Sequence, residues 1–148
     1  MCQNEISIST ITPSGTLNIV VYKDAIYIND KLISYPRKII NFSISSDKVF
    51  LVWIDPSDEP IDYINNNVEA YNFEGELLWN IYDIIGKAWP FGNVNVYDAE
   101  TIIEQVEFVN PNMIIKNHEY LVCYNVYERR YIIDITQNKL IQEKGGFK

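Results

Sequence analysis

The chain is written mostly as short apolar alternations broken by turn-forming pairs. Leu17 to Tyr35 carries strand-like runs interrupted at Lys23-Asp24 and at Asn29-Asp30, residue types that punctuate β structure. Val49 to Ile54 is a continuous apolar run of strand length, the pattern of a strand covered on both faces. Val68 to Trp79 alternates about Glu74-Gly75, and Gly75 supplies the positive φ that such a turn commonly requires. One stretch departs from a period of two. Asp98 to Phe108 opens on an N-cap residue, has acids in its first turn and sets Ile102 one helical turn before Val106. This predicts a helix of about two to three turns that ends before Pro111; Thr101 to Phe108 also reads as a strand. The whole pattern predicts a mainly β fold of antiparallel sheets, with at most one or two short helices.

The alternations repeat. Asn41 to Asp47 aligns with Asn112 to His118, and Val49 to Trp53 with Tyr120 to Tyr124, at an offset of 71 residues. Val68 to Leu78 aligns with Tyr131 to Ile141 at an offset of 63, so the first copy is longer by eight residues. The extra length lies in Asp55 to Tyr63. A shorter echo, Ile26 to Ile33, is another strand-turn-strand. The domain expectation is a single β domain over 1–148 with repeats at 41–81 and 112–144.

Val68-Glu-Ala-Tyr-Asn-Phe-Glu-Gly-Glu-Leu-Leu-Trp79 resembles the outer hairpin of a quinoprotein-type β-propeller blade. Tyr131 to Ile141 resembles a weaker version, with Asn138 where Gly75 stands. Propeller blades are four-stranded sheets, and this chain has room for about three where closed propellers have about four or more. The resemblance therefore implies blade-like antiparallel sheets, arranged as a partial propeller or as two packed sheets. It carries over no quinone cofactor and no central-channel site.

Composition narrows the function classes. Of 148 residues, 12 are Lys or Arg and 20 are Asp or Glu, a net charge of −8. Nucleic acid binding needs a basic face, so it is not expected, whereas a basic protein partner is favoured. The N-terminal Met-Cys-Gln-Asn-Glu shows no signal-peptide pattern, and no apolar run approaches membrane-spanning length. The expected location is the cytoplasm. Cys2 and Cys123 form no pair at metal-ligand spacing, and Cys123 reads as a small buried hydrophobe.

The chemistry-bearing motifs are missing. His118 is the single histidine, and no metal site or cofactor is expected. His118 and Cys123 are five apart, which in a strand points them to opposite faces. No nucleophile elbow or phosphate-binding glycine loop occurs, so no catalytic residues are assigned and an enzyme is not expected.

Aromatic and acidic residues remain. Trp53 and Trp79 lie in strand runs and read as core before ligand platform. Trp89-Pro90-Phe91-Gly92 sits in a turn context, where Trp89 and Phe91 either plug the sheet or anchor a partner. The insertion offers Asp55, Asp58, Glu59 and Asp62 to steer a basic partner and Tyr63 to contact it. In size, charge and β content the chain is similar to small acidic bacterial immunity proteins of secreted toxins. That resemblance implies a noncatalytic protein that neutralises a basic toxin. Two other readings stand beside it: a small-molecule or carbohydrate-binding accessory protein or enzyme, and a propeller fragment that oligomerises.

Overall fold

The computed structural model describes residues 6–22, 24–34, 38–54 and 63–145. Three four-stranded antiparallel meanders follow one another along the chain. The first contains β1 (Ile6–Thr12), β2 (Gly15–Val21), β3 (Ala25–Ile28) and β4 (Lys31–Ser34). The second contains β5 (Lys38–Ile44), β6 (Lys48–Ile54), β7 (Tyr63–Asn72) and β8 (Leu77–Asn80). The third contains β9 (Phe91–Asp98), β10 (Glu119–Asn125), β11 (Arg129–Asp134) and β12 (Lys139–Gly145). Two short helices fill connections: α1 (Ile81–Ile85) between the second and third sheets, and α2 (Ala99–Gln105) between β9 and β10.

The sheets stack like consecutive propeller blades. Leu17, Ile19, Ile26 and Ile28 pack on Val49, Leu51, Trp53 and Tyr71 of the second sheet. The opposite face of the second sheet, with Phe50, Val52, Val68 and Ala70, packs on Phe91, Val94, Leu121, Cys123, Tyr131 and Ile133. This is why β6 is apolar at consecutive positions: each of its faces meets a different sheet. The far face of the third sheet is covered by α2, with Ile102 over Tyr120, Val122 and Ile132. The first strands of the second and third sheets lie side by side, and the Val96 N–H donates to Ser43 Oγ at 3.1 Å.

Local sequence explains the corners. The three outer hairpins turn through Asn29, Gly75 and Asn138, with φ of 46°, 77° and 56°. These are residue types that tolerate the left-handed region. Gly75 also has no room for a side chain, since a Cβ there would lie 2.3 Å from Lys31 Cγ of the first sheet. Asn80 and Asp83 form a capping box around α1, and Gly86 closes it at φ 69°. Asp98 caps α2, as its sequence pattern predicts, accepting from the Thr101 N–H at 2.7 Å.

One sequence alignment holds and one is corrected. β10 does begin 71 residues after β6, at Glu119 against Lys48. Asn41 to Ile44 lies in β5, however, while Pro111–Met113 is a single 3₁₀ turn. The first strand of the third sheet is instead β9, on the other side of α2.

Candidate functional site

One rim of the second and third sheets gathers several connections. Ile54 pairs with Tyr63 where β6 gives way to β7. Asn65 bridges to Pro90, and the Asn66 N–H donates to the Trp89 carbonyl at 3.1 Å. The Val126 N–H, in the β10–β11 turn, donates to the Pro90 carbonyl at 3.0 Å. Pro90 has no N–H to leave unpaired, which suits it to the position just before a strand. The Tyr82 N–H of α1 donates to Asn66 Oδ1 at 2.8 Å, drawing that helix to the same rim.

The rim carries apolar surface. Trp89 is half-buried and meets the Tyr127 ring edge-on, with centroids 5.7 Å apart. Tyr82 is 51% exposed, Tyr127 49% and Val126 37%. Behind them Arg129 donates from Nε to Glu143 at 2.9 Å and from Nη1 to the Gly145 carbonyl at 2.8 Å. Lys87 Nζ lies 3.7 Å from the same carboxylate. Tyr131 is fully buried beside this group; burial pushes its hydroxyl pKa up, and the Glu143 charge adds to the shift.

The far face of the third sheet, at the same end, holds a different arrangement. Arg130 sits opposite Tyr124 on one side and Lys144 on the other. Its guanidinium donates to the carbonyls of Glu107 and Phe108, just beyond α2. The Phe108 carbonyl also accepts from Gln142 Nε2 at 2.7 Å. A cavity of about 330 Å³ lies here, walled by Tyr97, Val122, Tyr124, Phe108, Arg130 and Lys144.

The site residues read from the sequence are distributed unevenly. Asp55, Asp58, Glu59 and Asp62 lie outside the described residues, and Tyr63 opens β7. Trp89 is at the rim and also packs on the main core. Phe91 is corrected: it is the first residue of β9, fully buried against Tyr131, and presents no surface to a partner. The Pro-Phe-Gly run reads as a turn, but Phe91 continues the inward face of β9. Tyr82, Tyr127, Arg130 and Lys144 were not singled out by sequence; the adjacent Arg129-Arg130 in an acidic chain was the available signal.

The remaining candidates are structural. Trp53 and Trp79 are buried, their indole N–H groups donating to Glu69 at 2.6 Å and to Asn138 at 2.9 Å. Cys123 is fully buried and burial pushes its thiol pKa far up, so it is an unreactive core residue. His118 Nδ1 lies 2.8 Å from Asp134 Oδ2. Among the described residues, no three His, Cys, Asp or Glu side chains group to hold a metal. No described helix is long and apolar enough to cross a membrane.

No protein-family model matches the sequence, and a search of curated proteins gives no match. Among solved structures, the chain is similar to the Neurospora crassa Pan2 WD40 domain, with a TM-score of 0.50 at 10% identity. The likeness covers 88% of this chain and 39% of that one, so this chain spans about two fifths of its neighbour's length. At that identity the likeness concerns architecture, and it agrees with the stacked meanders: the fold is propeller-like, built of three blade-type sheets.

Proposed function

We propose that the chain is a noncatalytic protein-binding module and that its binding face is the rim formed by α1, Trp89 and the β10–β11 turn. The observation that carries this reading is the set of half-exposed Tyr82, Val126 and Tyr127 around Trp89. Tyr and Trp offer large contact area at low entropic cost and dominate the energetics of interfaces. They are mounted on turns held by backbone hydrogen bonds to a rigid sheet stack, so little ordering is needed on binding. A propeller-like fold is compatible with this use and does not by itself imply it.

The finer reading is a cytoplasmic immunity protein that neutralises a basic toxin. It rests on the net charge of −8 and on the acids Asp55, Asp58, Glu59 and Asp62, which lie in sequence between Ile54 and Tyr63. Such charges would steer a basic partner to the aromatic patch.

A tagged chain exposed to lysate of its source cells at low and high salt tests the module. The expected result is one basic protein retained at low salt, and its loss when Tyr82→Ser and Tyr127→Ser are combined. Retention that ignores these substitutions would overturn the assignment of the rim, and no retained protein would overturn the module.

A further inference from the structure

The cavity on the far face of the third sheet is not used by the rim. Resting on the protein-module reading, we infer that this pocket receives a carboxylate carried by the protein partner, with Arg130 and Lys144 as its counter-charges.

Arg130 is only 6% exposed, yet its guanidinium meets carbonyl oxygens and no carboxylate. Its Nε–H is buried without a hydrogen-bond partner. A guanidinium stays protonated at any ordinary pH, and a buried cation without a counter-charge is costly. Lys144 stands directly across the β11–β12 ladder from it. Like charges at directly opposed positions destabilise a sheet pair. Lys144 leans over the Phe108 ring, 4.8 Å from its centroid, and neither cation forms an ion pair with a described residue. In a chain of net charge −8, two adjacent cations without an ion pair among the described residues are an arrangement that folding alone does not favour.

Phe108 adds a second sign. It is 71% exposed and has φ 59°, a backbone region that a bulky side chain occupies only under strain. Strain of this kind persists where surrounding contacts over-determine it, and it gathers at ligand clamps. Here the contacts are the bonds from Arg130 and Gln142 to its carbonyl.

The cavity volume of about 330 Å³ suits a single side chain or chain end more than an extended ligand. The aromatic walls suit an apolar neighbour beside the charge. Glu107 and Glu128 also line the cavity without ion-pairing to Arg130 or Lys144, and their charges repel a dianion about twice as strongly as a monoanion, so a singly charged planar carboxylate is preferred to phosphate.

The test is an NMR titration at constant ionic strength, following the Arg130 Nε–H and the Phe108 amide. The probes are acetyl-Phe-Glu-amide, acetyl-Phe-Gln-amide, sodium benzoate and sodium phosphate. The expected result is saturable shifts with the Glu peptide and binding at least about tenfold weaker with the Gln peptide. Arg130 also holds the segment after α2, so its removal risks unfolding it; the variant to use is Lys144→Gln. It should keep the wild-type spectrum elsewhere and weaken the Glu peptide about tenfold. Equal binding of the two peptides, tighter binding of phosphate, or saturation by benzoate without the Glu peptide would overturn the proposal. A silent pocket in a protein that still captures its partner overturns this inference alone. Saturable peptide shifts without any captured partner support the carboxylate site and overturn the module reading.

Discussion

The side-chain amide of Asn67 closes a reciprocal pair of hydrogen bonds with the backbone of Phe91. Asn67 Oδ1 accepts from the Phe91 N–H at 2.7 Å, and Asn67 Nδ2 donates to the Phe91 carbonyl at 2.8 Å. The same Nδ2 donates to the Trp53 carbonyl at 2.7 Å. One fully buried side chain thus ties β6 and β7 of the second sheet to the start of β9 in the third. It also fixes where the chain leaves Trp89 at the rim.

Replacing Asn67 by Leu keeps the branched heavy-atom outline but removes the hydrogen bonds that the side chain makes to the Phe91 N–H and to the carbonyls of Phe91 and Trp53. Buried groups left unpaired carry their full desolvation cost, so the substitution should destabilise by about 2 to 4 kcal/mol. Urea melts of the two proteins measure it. A change well under about 1 kcal/mol would mean that these bonds do not hold the second sheet to the third.

Gly75→Val should cost roughly 1 to 3 kcal/mol, for two separable reasons. A β-branched residue resists the φ of 77°, and the new Cβ meets the Lys31 side chain. In a Lys31→Gly background the contacts with Lys31 Cγ and Cβ, at 2.3 and 2.6 Å, are both removed and the backbone part remains. A double-mutant cycle built from four melts should therefore show positive coupling, and strict additivity would place the whole cost in the turn.

Much of this fold was legible because turn chemistry and alternation agreed. The hairpins at Asn29, Gly75 and Asn138 announce themselves through residues that accept positive φ between alternating runs. The continuous apolar run of β6 signals burial on both faces. β1 is hard to read although Ile6-Ser-Ile-Ser alternates, because the alternation reverses after Ser9: Thr10 and Thr12 follow on the face of Ile6 and Ile8, and Ile11 falls on the face of Ser7 and Ser9, 86% exposed. β9 was obscured by Pro90 and Gly92, whose turn signals flank a residue that belongs to the core. The Arg130 pocket could not be read locally at all. It depends on Lys144 and Phe108, both distant in sequence from the middle of β11, and on a loop folding back over the sheet.

Alkaline pH should unfold the protein through its buried tyrosines. Burial raises the pKa of Tyr131 and of Tyr120 above the usual 10.0. The unfolded chain then releases its phenolic protons first, so the associated stability is intact below pH 10.0 and is lost as pH rises through the raised folded values. Thermal melts should fall above pH 10.0, and Tyr131→Phe should flatten that fall. Parallel curves for the two proteins would contradict this.

Replacing Asp55, Asp58, Glu59 and Asp62 by Asn or Gln should slow partner association at low salt and flatten its salt dependence. Charges at an interface rim act mainly on encounter, so the rate should fall by roughly tenfold or more while dissociation changes little. Stopped-flow association at two salt concentrations reads this. An unaltered rate at low salt would remove the acids from recognition, and a large loss of thermal stability would make their segment structural.

The binding face is tested most directly by hydrogen exchange of the chain alone and with its captured partner. Exchange should slow in the peptides that cover α1, Trp89 and the β10–β11 turn around Val126 and Tyr127, with the exposed face of the first sheet unchanged. Protection on the first sheet with none at Trp89 or Tyr127 would contradict the account.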